Sequence, residues 1–142
     1  MKTEVLVTGT FNIIHSGHVR LLEFASRYGS VTVGINADPY LKKKYGDKAV
    51  TLVDRTYVLE SIKHVDKIVV FFEETPCSLI KNLKPSIYIK GPDYKGKELP
   101  EQSACEQVGA HIVIHPNEKE YNASDLVEDL PEKVFKKLNK YT

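Results

Sequence analysis

The sequence has little of what marks several large classes of protein. Its two cysteines, Cys77 and Cys105, lie far apart and outside any Cys-x-x-Cys pattern, which argues against a zinc or redox site. The formal net charge is only +1, so no basic bias favours nucleic acid or an anionic membrane. The opening "MKTEVLVTG" lacks the apolar segment of a signal peptide, and no apolar run reaches membrane-spanning length. We therefore expect a cytoplasmic protein that binds neither nucleic acids nor membranes.

Short apolar runs alternate with helical patterns along the 142 residues, a length that suits one domain covering 1–142. The runs are nearly continuous in Val, Ile, Leu and Tyr, as in parallel strands covered on both faces, and predict strands at 5–8, 31–35, 67–72, 86–90 and 110–115. Helices are predicted at 18–28, 54–64, 76–83, 100–108, 123–130 and 131–140, and Gly29 is expected to stop the first. The alternation predicts an α/β fold with a five-stranded parallel sheet and helices on both faces.

Three unusual segments follow the ends of predicted strands. They are residues 9–18 after the first strand, "KGPDYKG" after the fourth and "HPNEKEYNASD" after the fifth. In open α/β sheets, ligands bind outside the carboxyl ends of the strands, where the strand order reverses. We therefore expect these three segments to converge on one site.

Two histidines, His15 and His18, lie at the joint between the first strand and the first helix. Gly9 and Gly17 let the backbone approach a ligand there, and the positive end of the helix favours an anion. Imidazoles beside such an anion can donate hydrogen bonds to phosphoryl oxygens and stabilise the charge that develops during transfer. One alternative is a capping loop whose histidines only pack. Another is a His-x-x-His metal site, for which no third ligand lies at convincing spacing.

The segment "GTFNIIHSGH" resembles the Gly-x-Phe-Asp-x-x-His-x-Gly-His signature of the cytidylyltransferase-like nucleotidylyltransferases. "DRTYVLESIKHVDKIVVFFEETP" is similar to the arginine-containing helix, Val-Asp turn and third strand of that family. "LIKNLKPSIYIKGPDYKGKELPE" looks closest to the heptose-phosphate adenylyltransferase members, with glycerol-3-phosphate cytidylyltransferase also near. The resemblance covers most of the chain and implies a single Rossmann-like domain.

The resemblance also implies roles for individual residues. His15 and His18 would hold the α-phosphate and stabilise its transition state. Arg55 matches a family arginine and is a further catalytic candidate, although without the resemblance it reads as an ordinary charge on a helix face. One of Lys42, Lys43 and Lys44 should neutralise phosphates. Lys44 is preferred, although the three lysines read without the resemblance as a solvated loop. The remaining nucleotide-binding candidates are Gly9, Thr10, Phe11, Asn12, Gly17, Gly91, Asp93, Asn122 and Ser124, and no metal ligand is proposed.

The sequence departs from the family pattern at two places. Asn12 stands where the family has Asp; it keeps the shape and one acceptor oxygen but loses the charge. The segment "YNASDLVEDL" replaces a hydroxyl-rich motif that grips the triphosphate, so Ser124 keeps one hydroxyl while Ala123 has none. Two lost hydroxyl contacts, at about 0.5–1.5 kcal/mol each, would shift nucleotide affinity without abolishing it.

The activity implied by the resemblance is nucleotidyl transfer from ATP or CTP to a small phosphorylated acceptor, with release of pyrophosphate. A heptose-phosphate-like sugar is favoured as acceptor, and glycerol 3-phosphate with CTP is the alternative. Mg²⁺ would bridge the triphosphate with few or no protein ligands, and a homodimer is expected by resemblance alone. An alternative of another class is a catalytically impaired nucleotide-binding protein, which the two departures suggest.

Overall fold

The computed structural model of the chain describes residues 3–91 and 99–116. Within them, five parallel strands form one sheet in the order β3-β2-β1-β4-β5. The strands are β1 (Glu4–Gly9), β2 (Ser30–Asn36), β3 (Lys67–Phe71), β4 (Ile87–Lys90) and β5 (His111–Ile114). The helices are α1 (Ser16–Ser26), α2 (Asp38–Tyr45), α3 (Leu52–Glu60), α4 (Cys77–Leu83) and α5 (Gln102–Val108), with a 3-10 turn at Gly46–Lys48.

Each face of the sheet carries its own apolar core. On one face, α1 and α3 pack on alternate strand residues, and the core there includes Val5, Val7, Leu22, Ala25, Val33, Leu59 and Ile89. On the other face, α4 and α5 pack through Leu6, Phe71, Leu79, Ile80, Tyr88, Ala104 and Cys105. The predicted parallel sheet with helices on both faces is therefore confirmed.

The strand order reverses at β1, which pairs with β2 on one side and with β4 on the other. The crossovers from β1 and β2 lie on the α1 face, and those from β3 and β4 lie on the opposite face. The crevice at the carboxyl ends of β1 and β4 is therefore the expected ligand position in a sheet of this kind.

The strand predictions and four of the helix predictions agree with the structure to within a few residues at each end. The two helices predicted at 123–130 and 131–140 lie outside the described residues. In the described part of the chain, no helix has both the length and the apolar character needed to cross a membrane.

Two local predictions were wrong. The lysines at 42–44 lie on α2 and not in a loop. This eight-residue helix buries only Leu41, so its sequence has no apolar stripe from which a helix could be predicted. Gly29 does not cap α1, which ends at Ser26 with Arg27 in the right-handed helical region. A Cβ on Gly29 would collide with the carbonyl oxygen of Thr3, so glycine is required there by close backbone packing.

Candidate active site

His15 and His18 form the N-terminal cap of α1. His15 is the N-cap residue, and its Nδ1 accepts a hydrogen bond from the Gly17 backbone N–H at 3.1 Å. The Nδ1 atom of His18, at the third helical position, accepts from the backbone N–H of His15 at 3.1 Å. The sequence prediction that His18 opens the helix is therefore off by two residues, since α1 begins at Ser16.

The capping bonds determine the tautomer of both rings. A nitrogen that accepts a hydrogen bond carries no proton, so each neutral imidazole must be protonated on Nε2. Because the two Nδ1 atoms are bonded to backbone N–H groups, the Nε2–H groups are the ring donors. The capping function and a donor function thus coexist in the same side chains, so the capping alternative does not exclude a catalytic role.

The two imidazoles belong to a short stack of rings. The ring centroids of His15 and His18 lie 4.1 Å apart, and the ring of Phe11 lies 5.3 Å from that of His18. A glycine leaves room for the ring at each end of the stack. A Cβ on Gly17 would lie 2.8 Å from Cε1 of His15, and one on Gly9 would lie 3.1 Å from the Phe11 ring. The glycines of "GTFNIIHSGH" therefore set the positions of the aromatic rings.

Phe11 has a strained backbone. Its φ angle is +48°, in the left-handed region that residues other than glycine seldom adopt, while its side chain is buried. Such strain persists only where surrounding contacts impose it, and it concentrates at functional loops. Burial of the Phe11 ring against Gly9 and His18 supplies those contacts here.

Asn12 joins the loop after β1 to the turn that precedes α3. Its Oδ1 accepts from the Val50 backbone N–H at 2.7 Å, and its Nδ2 donates to the Lys48 carbonyl oxygen at 3.1 Å. Both atoms of the amide are therefore used, and an aspartate could supply only the acceptor. The departure from the family pattern at this position has a structural explanation, because the amide donor satisfies a carbonyl that a carboxylate would repel.

Arg55 lies inside the protein and makes four hydrogen bonds. Its Nε donates to Val50 O at 2.9 Å, and its Nη1 donates to Thr10 O at 3.1 Å and to Asn36 O at 2.7 Å. Its Nη2 donates to Asp38 Oδ1 at 2.9 Å in an ion pair. The arginine predicted as a catalytic residue thus ties together the ends of β1 and β2, the start of α2 and the start of α3.

The lysines of α2 differ in where they lie. Lys43 pairs with Glu74 across the surface at 3.3 Å. Lys44 has its Nζ 5.3 Å from the ring centroid of Tyr45, whose hydroxyl lies 3.2 Å from Thr10 Oγ1. Lys44 is also near enough to Lys90 to lower the pKa of that residue electrostatically. The preferred lysine is therefore the one whose charge acts at the carboxyl ends of β1 and β4.

Sequence reasoning missed a buried polar group at the end of β4. Lys90, the last residue of the strand, is buried beside Glu101, which precedes α5. The signals in the sequence were a lysine that ends an otherwise apolar strand run and its place at the start of the "KGPDYKG" segment expected near the site. Gly91 follows it, with open space where a Cβ would be, whereas Asp93, Asn122 and Ser124 lie outside the described residues.

His115 packs behind α1 at the end of β5. Its ring centroid lies 4.7 Å from that of Phe24, and it helps to line a cavity of about 180 Å³ together with Arg20, Glu23, Phe24, Arg27 and Pro116. Burial, with a smaller contribution from the charge of Arg27, lowers the pKa of His115. A neutral ring at this position is suited to packing.

A sequence model of the cytidylyltransferase-like family matches residues 6–129. The chain belongs to this family. The membership confirms the family that the segment "GTFNIIHSGH" indicated.

Curated relatives are bifunctional proteins named HldE. The one from Aliarcobacter butzleri (strain RM4018) is 43% identical over 110 residues, which cover 75% of this chain and 23% of that protein. The one from Streptomyces coelicolor (strain ATCC BAA-471 / A3(2) / M145) is 38% identical over 117 residues, which cover 80% of this chain and 25% of that protein. The chain therefore spans about a quarter of the length of the curated relatives that it matches.

Solved structures show the same fold. The lipopolysaccharide core biosynthesis protein from Thermoplasma volcanium GSS1 aligns with a TM-score of 0.71 at 24% identity, covering 84% of this chain and 100% of that one. Pantothenate synthetase from Thermus thermophilus aligns with a TM-score of 0.60 at 17% identity, covering 96% of this chain and 64% of that one. At these identities the likeness establishes the α/β Rossmann-like fold alone.

Replacing Gly17 by alanine should displace the His15 ring, because the new Cβ would lie 2.8 Å from its Cε1. Nitrogen-detected histidine NMR should then show Nδ1 of His15 losing the signature of a hydrogen-bond acceptor, which Nδ1 of His18 keeps. The free energy of unfolding should change little, because the preference of a helix for alanine over glycine, about 1 kcal/mol, offsets the loss of the capping bond from Gly17 N–H to His15 Nδ1. Ser26→Ala, at the far end of α1, is the control and should leave both ring signals unchanged; an unchanged Nδ1 signal of His15 in Gly17→Ala would contradict the steric interpretation.

Replacing Asn12 by aspartate should destabilise the fold by about 1 kcal/mol at neutral pH, because a carboxylate would face the Lys48 carbonyl oxygen. Protonation restores an O–H donor, so the deficit should shrink as the pH falls through about 4. Urea denaturation at several pH values measures both effects. Asn12→Ala, which loses both bonds, should show a deficit without that pH dependence, and an aspartate variant as stable as the parent at pH 7 would refute the role of the amide donor.

Proposed function

We propose that the chain transfers a nucleotidyl group from a nucleoside triphosphate to a small phosphorylated acceptor. A phosphate oxygen of the acceptor forms a bond to the α-phosphorus, the bond from that phosphorus to the bridging oxygen breaks, and pyrophosphate leaves. The observation that carries this proposal is the pair of Nε2–H imidazoles held at the N-terminus of α1.

The residues of the site act by positioning and by stabilising charge. Nε2–H groups of His15 and His18 donate to oxygens of the α-phosphate, whose negative charge rearranges in the transition state. The N-terminus of α1, a helix of 11 residues, adds the positive end of its dipole. The Nδ1 bonds to the backbone fix both rings before the nucleotide arrives, so little reorganisation is needed on binding.

Backbone groups of Gly9, Thr10 and Phe11 approach the nucleotide in this proposal, and Lys44 neutralises its phosphates. The fixed loop geometry supports this assignment, because Arg55 bonds to the Thr10 carbonyl and Asn12 bonds to the turn before α3. We propose that Arg55 is a positioning residue and not a group that touches phosphate. Its burial and its four bonds to protein oxygens support that role.

Magnesium fits this site as an ion carried by the nucleotide. Among residues 3–91 and 99–116, no three side chains of His, Cys, Asp or Glu are grouped to hold a metal ion. The cationic side chains of the site suit phosphate oxygens and not a divalent cation. Mg²⁺ would neutralise part of the triphosphate charge when bound.

We favour adenylyl transfer to a heptose-phosphate-like sugar. Two observations support this choice: the curated relatives are the bifunctional HldE proteins, and "KGPDYKG" resembles the heptose-phosphate adenylyltransferase members. Cytidylyl transfer to glycerol 3-phosphate is the alternative within the same reaction class, and the same assay separates the two.

A pyrophosphate-release assay with each of the four nucleoside triphosphates, against heptose phosphates and glycerol 3-phosphate, tests the proposal. We expect turnover with ATP and a heptose phosphate, and a loss of about 100-fold or more in His18→Ala, because the ring donates to the reacting phosphate. His64→Ala, at a histidine after α3, is the matched control and should keep the parental rate. Nucleotide binding without turnover on any acceptor would instead identify a catalytically impaired nucleotide-binding protein.

A further inference from the structure

Lys90 and Glu101 form a buried polar pair at the carboxyl end of β4. The Lys90 ammonium lies 3.9 Å from Oε1 of Glu101 and 3.4 Å from Oγ1 of Thr8. The hydroxyl of Tyr88 lies 2.6 Å from the same Thr8 oxygen, and the Tyr88 ring centroid lies 5.8 Å from the ammonium. Both charged side chains are more than nine-tenths buried.

The Glu101 carboxylate is poorly satisfied for a buried charge. Burying a charge is expensive unless close contacts and hydrogen bonds compensate, yet Oε1 of Glu101 stands at the outer limit of an ion pair with Lys90. The other oxygen, Oε2, is buried and has no hydrogen-bond partner within the described residues. A buried carboxylate oxygen without a hydrogen-bond partner among the described residues requires an explanation, and a functional role supplies one.

The position of the pair points to the ligand crevice. Thr8 is followed by the Gly9–Phe11 loop, and Lys90 is followed by Gly91, so both residues border the point where strand order reverses. Lys44 acts electrostatically on Lys90 from α2. Lysines from two elements therefore place positive charge at this edge of the sheet, which favours the binding of phosphate-bearing ligands there.

Lys90 and the two histidines lie on opposite faces of the sheet. His15 and His18 cap α1, which packs on the face that includes Val5, Val7 and Ile89. Tyr88 belongs to the opposite face, and Lys90 follows it by two residues in the same strand. Nucleotidyl transfer brings two phosphate-bearing reactants together, and each needs positive charge to offset their repulsion. A cation across the sheet from the α-phosphate site is suited to the second reactant.

We propose that Glu101 is a positioning residue that keeps the buried Lys90 charged and directed at the phosphate of the acceptor substrate. This inference rests on the proposed nucleotidyl transfer. It adds a residue pair to the acceptor side of the reaction, where the sequence motifs gave no candidate.

The electrostatics of Lys90 yield a measurable signature. Burial lowers the pKa of Lys90, the charge of Glu101 raises it, and the charge of Lys44 lowers it. Replacing Glu101 by glutamine removes the contribution that raises the pKa, so Lys90 should lose its proton at a lower pH. The acceptor affinity of the variant should therefore fall at a lower pH than that of the parent.

Steady-state kinetics of the full chain with ATP and a heptose phosphate, from about pH 6 to about pH 9, test the assignment. In Glu101→Gln, KM for the acceptor should rise about tenfold at the alkaline end of this range and by less at the acid end, because Lys90 of the variant loses its proton at a lower pH than Lys90 of the parent. KM for ATP should stay within about twofold of the parent. Lys90→Met should lose acceptor affinity at every pH, and Lys90→Arg should keep part of that affinity. Glu101→Asp should keep more of the acceptor affinity at high pH than Glu101→Gln does. Lys81→Gln, at an exposed lysine of α4, is the control and should behave as the parent.

Contrary outcomes are equally specific. A parental acceptor KM and pH profile in Glu101→Gln and Lys90→Arg, with only a lowered melting temperature, would make the pair purely structural. If only KM for ATP rose in these variants, Lys90 would contact the nucleotide and not the acceptor, and the assignment would be overturned.

Direct binding separates this inference from the reaction itself. If the parent turns over no acceptor, calorimetry with heptose phosphate and glycerol 3-phosphate still reports on Lys90. Binding that is lost in Lys90→Met, and that weakens with rising pH in Glu101→Gln, would support the phosphate site although the proposed function had failed. Equal binding by the parent and by Lys90→Met would overturn the site.

Discussion

The candidate site depends on one buried guanidinium. Arg55 binds the carbonyl oxygens of Thr10, Asn36 and Val50 and the carboxylate of Asp38. These acceptors lie in three segments that are separate in sequence, at residues 10, 36–38 and 50, so a single side chain fixes the loop after β1 relative to α2 and α3. The Asp38 side chain is 41% exposed, but the guanidinium is fully buried and makes four hydrogen bonds, so its loss would be more consequential than the loss of a surface ion pair.

The histidine motif uses that fixed loop. Gly9 admits the Phe11 ring, the Phe11 ring packs against His18, and His18 lies against His15. The capping bonds then orient the imidazoles so that Nε2 carries the proton. Helix capping is usually a matter of local stability, but here the same bonds select the tautomer that a phosphate requires.

Much of the architecture could be predicted from the sequence because local residue patterns determine it. Continuous apolar runs predicted the strands, and the glycines around two histidines indicated where a ligand would bind. The helix α2 was missed because it is short and polar, and its first residue, Asp38, is held by tertiary bonds to Arg55 and to the Leu52 N–H. Propensity alone cannot reveal a helix that depends on such long-range contacts.

The roles of single residues were harder to predict for the same reason. Arg55 looked like an ordinary charge on a helix, and Asn12 looked like a lost carboxylate, since neither the four acceptors of the arginine nor the Lys48 carbonyl can be located from sequence. Lys90 and Glu101 belong to different elements, and only the topology brings them together. Functional sites are where such departures from local rules are expected.

The most direct measurement of the central claim is a crystal structure of the chain with a bound nucleoside triphosphate. The α-phosphate should accept hydrogen bonds from Nε2 of His15 and of His18, while both Nδ1 atoms keep their bonds to backbone N–H groups. A triphosphate bound away from the N-terminus of α1, or imidazoles turned so that Nδ1 faces the phosphate, would contradict it.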